Sequence, residues 1–244
     1  MADDNETELT YGFEGDSPLI RATRAMYSHM VGTVTEHAAS LDMQPDRLRR
    51  VFSTARTEAD RSAAILVFAL AEDLMLDAIK RYCNPDVQGG WDEVTGGNGL
   101  LATANDRINF LYLLRWIQPQ VYADLRLLKS IRNRFAHHAD VSGFEEEKIK
   151  SWIYAMKTTE ENLLGSVAWG DIPRSEKFTA RQMFLARSSL VLTRLMANLA
   201  IAPEARAARV SPGHVESQGW DRFPDNLKEL YRIAAEAVTN ALKT

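Results

Sequence analysis

"TEADRSAAILVFALAEDLMLDAIKRY", residues 57–82, is the stretch on which the fold turns. Ala64, Phe68, Ala71, Met75, Ala78 and Tyr82 recur at alternating spacings of four and three, which draws an apolar stripe along about five helical turns. Thr57 with Asp60 three residues on resembles a capping box in which Asp stands for the usual Glu, and predicts where the helix begins. Glu58 and Asp60 then favour the positive end of the helix dipole, and Glu58 can pair with Arg61.

Working outward, the segment 84–99 is the main break, with Pro85, Gly89-Gly90 and the run "GGNG" at 96–99. Helices are expected over about 18–41, opened by Ser17-Pro18, over 46–55 after Pro45, over 103–117 and over 121–138 after Gln118-Pro119. Ser142 with Glu145 is a second capping-box pattern and predicts a helix reaching about Leu164. A long helix is expected over 175–200, a linker over 203–224 and a last helix over 225–242. Residues 1–16 are acidic and expected to be disordered. With no alternating strand pattern, the chain reads as all-α. Residues 17–165 form the expected bundle, and 166–244 a helical extension packed on the bundle or on a partner.

Composition narrows the function. The chain has 244 residues, 45% hydrophobic and 25% charged, with a net charge of −4, so any affinity for anions must come from a local patch. Cys83 is the single cysteine, which excludes an internal disulfide and a cysteine-based metal site and fits a reducing cytoplasm. The acidic start has no signal-peptide pattern, and the longest apolar run, 63–71, is too short for a bilayer. His29 and His37 are eight apart and His137 and His138 adjacent, so neither pair has helical zinc-ligand spacing, and no cofactor is expected. The "GGNG" run lacks the Lys-Ser/Thr of a phosphate loop and reads as a flexible connection.

The helix 121–138 ends in "SIRNRFAHHAD", residues 130–140. At about 100° per residue, Leu125, Leu128, Ile131 and Phe135 form its inward stripe. His137 falls roughly opposite, with Asn133 within about 40° of it and Arg132 about 140° away. The imidazole therefore points away from the core. Arg126, Lys129, Arg132 and Arg134 make this helix a basic stripe in an acidic chain, which suits a phosphate-bearing ligand. Cations here also complement the C-terminal dipole, and Arg134 and His138 fit that capping role.

Between Glu58 and His137 the chain resembles the mannitol operon repressor family, through "TEADRSAA", the Pro/Gly-rich insert and "ANDRINFLYLLRWIQPQVYADLRLLKSIRNRFAH". "RNRFAH" is similar to the Arg–polar–His signature of HEPN (higher eukaryotes and prokaryotes nucleotide-binding) domains. The resemblance implies a HEPN-like antiparallel helical bundle with a C-terminal helical extension. It implies a homodimer that brings two motifs together, and in many members metal-independent RNA cleavage. Arg132, Asn133 and His137 would be the catalytic set, Lys129 and Arg134 phosphate contacts, and Glu58 or Asp60 supporting acids that orient Arg132 or His137. Arg107 could pair with the same acids as scaffold. The chemistry is coherent: imidazole can act as base and acid near neutral pH, and a guanidinium binds phosphate through two parallel bonds. The alternative is a non-catalytic transcriptional regulator or protein-interaction module. Sequence-specific DNA binding is not expected, because no basic reading helix follows a short turn.

Overall fold

The computed structural model describes residues 45–83, 86–157 and 178–207, together with Glu229, Arg232 and Ile233. Among the described residues there are seven helices and no strand: α1 Pro45–Thr57, α2 Asp60–Tyr82, α3 Gly90–Thr95, α4 Ala104–Leu113, α5 Pro119–His137, α6 Glu147–Ala155 and α7 Ala180–Ala207. The all-α class holds. The helix expected over 18–41, the span 158–164, most of the linker and most of the last helix lie outside the described residues; Glu229, Arg232 and Ile233, from the last of these, are helical.

The apolar stripe of α2 is buried as its spacing predicts: Ala64, Phe68, Ala71, Met75 and Ala78 all lie in the core. Around it α2 packs against α1, α4, α5 and α7, while α5 also meets α4, α6 and α7. One hydrophobic cluster takes in Phe68, Leu128, Phe144 and Leu192, so the core is continuous across the boundary expected near residue 165. From Phe184 to Ala200 every residue of α7 is buried except Arg187 and Arg194. A helix apolar on all sides has to run through the middle of its fold. The helix also continues past Pro203 to Ala207, where the sequence suggested a linker, although proline withholds one main-chain N–H.

Several helix ends differ from their sequence patterns. Thr57 closes α1, its hydroxyl donating to the Thr54 carbonyl, and so does not cap α2. The Ser142/Glu145 box does not form either: α6 starts at Glu147 behind Glu146, with no side-chain cap. Glu145 is engaged elsewhere, accepting from the Ala180 N–H and from Lys150 Nζ, both at 2.8 Å. A true reciprocal box opens α4, where Thr103 Oγ1 accepts from the Asp106 N–H and Asp106 Oδ2 accepts from the Thr103 N–H, each at 3.2 Å. That helix stops at Leu113 because Arg115 adopts a left-handed φ of 59°, and the expected turn to 117 becomes a connection that buries Trp116 and Ile117.

The expected flexible "GGNG" connection is instead a closed turn behind α3. The Gly96 N–H donates to Asp92 O at 2.8 Å and the Leu101 N–H to Val94 O at 2.9 Å. Gly99 is required there, since a Cβ would come within 2.3 Å of the Glu93 and Val94 carbonyl oxygens. Arg107 fastens the loop by donating to Leu101 O at 2.9 Å and Ala102 O at 3.3 Å, rather than pairing with Glu58 or Asp60.

Candidate functional site

The burial pattern of α5 follows the helical wheel. Val121, Leu125, Leu128, Ile131 and Phe135 are buried on one side, and His137 is exposed on the other. The His137 imidazole makes no hydrogen bond or ion pair among the described residues. Asn133 is half-buried and accepts a 2.9 Å hydrogen bond at Oδ1 from Arg132. Arg132 leans the other way, toward α2, where its guanidinium lies 3.7 Å from Glu72 Oε2 and 5.8 Å from the Phe68 ring centroid. So Arg132 and Asn133 are joined, and Asn133 occupies the helix surface between Arg132 and His137.

The acids expected to support this set do something else. Asp60 accepts from the Phe144 N–H at 2.8 Å and is ion-paired with Arg181, tying α2 to the loop before α6 and to α7. Glu58 contributes its carbonyl, which accepts from Arg181 at 2.6 Å. Neither reaches Arg132 or His137. The acid that does orient Arg132 is Glu72, which the sequence reading missed. Its signal was its place one turn beyond Phe68, on the flank of the apolar stripe that faces α5.

Arg61 does not pair with Glu58. Its guanidinium reaches the end of α5 and donates to Phe135 O, to His138 O at 3.0 Å and to Ala139 O at 3.3 Å. The Phe135 carbonyl lies in the last turn of α5, where the helix supplies no donor, and the positive charge also complements the negative end of the dipole. The segment bearing His137 is thereby pinned at the point where a helix would fray. Of the two expected phosphate contacts, Lys129 donates to Asn105 Oδ1 at 2.7 Å, and Arg134 pairs with Glu146 at 2.9 Å with both side chains about three-quarters covered. Arg134 therefore anchors the start of α6. His138 is exposed, and its N–H closes the helix on Arg134 O at 3.2 Å.

Chemically, the arrangement offers an imidazole in solvent, an amide beside it and a guanidinium one step further round. One copy holds one such imidazole; a two-fold axis passing near it would double the set. Among the described residues there is no group of three or more His, Cys, Asp or Glu able to hold a metal ion, and no helix long and apolar enough to cross a membrane. No family model, no curated protein and no solved structure matches this chain, so the functional reading rests on these residues and their placement.

Proposed function

We propose that the protein is a HEPN-like, metal-independent endoribonuclease or RNA-phosphate binder, related to the mannitol operon repressor family and acting as a cytoplasmic homodimer. The observation that carries this reading is the exposed imidazole of His137, unpaired among the described residues, beside the Arg132–Asn133 hydrogen bond, on the face of α5 opposite its buried stripe. In the proposed reaction one imidazole takes the proton of a ribose 2′-hydroxyl, and the 2′-oxygen attacks phosphorus. The bond from phosphorus to the 5′-oxygen breaks, and the imidazolium of the second copy returns a proton to that oxygen. Arg132 binds a non-bridging oxygen, and Asn133 holds Arg132 in place.

The test is incubation with structured and single-stranded RNA in the presence of a chelator. The expected result is cleavage leaving a cyclic phosphate end, reduced at least about a hundredfold in His137→Ala. That variant should keep its stability within about 0.5 kcal/mol, because the side chain is exposed. Equal cleavage by both proteins, or none by either, overturns the nuclease reading. One observation favours a second reading, a non-catalytic regulator or protein-interaction module: Arg132 is already engaged by Glu72 and Phe68. It predicts that Arg132→Ala changes the association state or melting temperature of a protein with no activity to lose.

A further inference from the structure

The outward stripe of α5 extends well beyond His137. Tyr122, Arg126, Lys129, Asn133 and His137 fall within about 80° of one another around the helix. Antiparallel to this stripe lies α4, whose Asn105, Asn109 and Tyr112 recur at spacings of four and three. The two helices meet along a polar seam. Asn105 accepts from Lys129, Asn109 Oδ1 accepts from the Tyr122 hydroxyl at 3.1 Å, and the Tyr112 and Tyr122 rings stack with centroids 4.2 Å apart at 22°. Arg126, itself exposed, donates to the Tyr122 hydroxyl at 3.2 Å and lies 5.6 Å from the centre of that ring.

Packing of α4 on α5 accounts for Tyr122, which is half-buried. It does not account for Tyr112, which keeps 38% of its surface exposed although Tyr122 covers one side of its ring. Nor does it account for Arg126, which stays exposed on the way from this pair to His137, whereas Lys129 is held by Asn105 of α4. The only acid on α5, Asp124, is fully buried, so the outward face of this helix carries cations and no acid of its own in a chain of net charge −4. An aromatic face followed by a row of cations is the combination that binds single-stranded nucleic acid, with a base on the ring and phosphates along the cations.

We infer that the Tyr112–Tyr122 pair is a stacking subsite for a base of single-stranded RNA whose phosphates follow Arg126 and Lys129 toward His137. This rests on the RNA reading above and adds a second, separate binding element to it. Tyr122 and His137 are about 22 Å apart along the helix, a span of roughly seven nucleotides at the 3.4 Å rise of a stacked strand. Short oligonucleotides therefore cannot occupy both ends.

The experiment measures fluorescence anisotropy of a labelled 2′-O-methyl decaadenylate, which cannot be cut by its own 2′-oxygen, with the full chain and its variants. Tyr112→Leu, which keeps an apolar side chain against Tyr122 but removes the π face, should weaken binding at least about fivefold, and Tyr112→Trp should restore it. Arg126→Gln, on an exposed side chain, reads the same strand path should Tyr112→Leu melt early; it should lower affinity and flatten the salt dependence. In parallel, cleavage of unmodified RNA is followed. Tyr112→Leu should raise KM for a decanucleotide while leaving cleavage of a trinucleotide unchanged. Decaadenylate binding unaffected by Tyr112→Leu or by Arg126→Gln overturns the subsite and leaves the RNA reading standing. Binding that depends on Tyr112 without any cleavage supports the subsite and removes the nuclease. No binding by the wild-type chain removes both.

Discussion

Arg61 sits in the first turn of α2, yet its guanidinium serves carbonyls 74, 77 and 78 residues away at the end of α5. The same device recurs. Arg181 donates to Ala55 O and Arg56 O at the end of α1, and Arg187 to the Ile153, Tyr154 and Met156 carbonyls at the end of α6. Each donates to oxygens at or just past a helix C-terminus, where the helix itself supplies few donors. Replacing Arg61 with Met keeps most of the aliphatic stem and removes the donors. The expected cost is about 1.5–3 kcal/mol, the worth of hydrogen bonds to a charged group, and a thermal melt indistinguishable from wild type would refute the capping role. At this scale the sequence was legible wherever helix geometry alone fixes direction. His137 points outward because its angle from Leu128 and Phe135 leaves it no other course. Arg61 was misread because its nearest sequence partner, Glu58, is the local default, whereas main-chain carbonyls far along the chain carry no residue-type signature. Glu72 was missed for the related reason that an acid on the flank of a stripe finds its partner only when the next helix arrives.

α2 and α5 were legible as elements because their apolar spacing survives into the packing. The starts of α2 and α6 were not, because the residues that mimic capping boxes are claimed by other helices. Thr57 belongs to the end of α1, and Glu145 to the start of α7. The join between α2 and the loop before α6 is tight at Gly143, where a Cβ would lie 2.7 Å from Asp60 Oδ2. That oxygen is held by the Phe144 N–H and its carboxylate by Arg181, so it cannot easily give way. Gly143→Ala should therefore destabilise by about 1–3 kcal/mol, read as a lowered denaturation midpoint at unchanged slope. Glu145 gives a pH signature. The hydrogen bond from Lys150, and then that from the Ala180 N–H, hold its carboxyl below the ordinary glutamate value. Its contribution to stability is complete above the unfolded value of about 4.3 and is lost as pH falls through the lower folded value. Comparing melts at neutral pH and below about pH 4, the deficit of Glu145→Gln relative to wild type should shrink in acid. A deficit that stays constant across that range would show that the bond acts through geometry rather than charge. Lys150 moves the opposite way, raised by the same hydrogen bond, so its share is lost on the alkaline side.

The molecule as a whole is organised around α7, which meets α1, α2, α5 and α6. The sequence places this helix in an extension packed on the bundle or on a partner, and its residues share one core with α2 and α5. Two arginines seven residues apart, Arg187 and Arg194, are its only half-exposed positions between Phe184 and Ala200. Such a helix carries few polar groups, and each needs a partner. Asn198 accepts from the Gln118 N–H at 3.1 Å, and Ser188 and Ser189 donate to carbonyls of their own helix. Thr193 is the exception, its buried hydroxyl having no hydrogen-bond partner among the described residues. Thr193→Val, nearly the same shape without the polar atom, should raise stability by about 1–3 kcal/mol, and a lower melting temperature would mean that the hydroxyl is satisfied after all. The central place of α7 also sets the order in which the protein can be made. The ribosome delivers α1 to α6 before the helix that fills the space among them. Until residues 180–200 have left the exit tunnel, Phe144 can meet Phe135 but lacks Phe184, whose ring stacks on it at 4.3 Å. A nascent chain halted before that point lacks its central helix and leaves the apolar face at Phe144 partly bare.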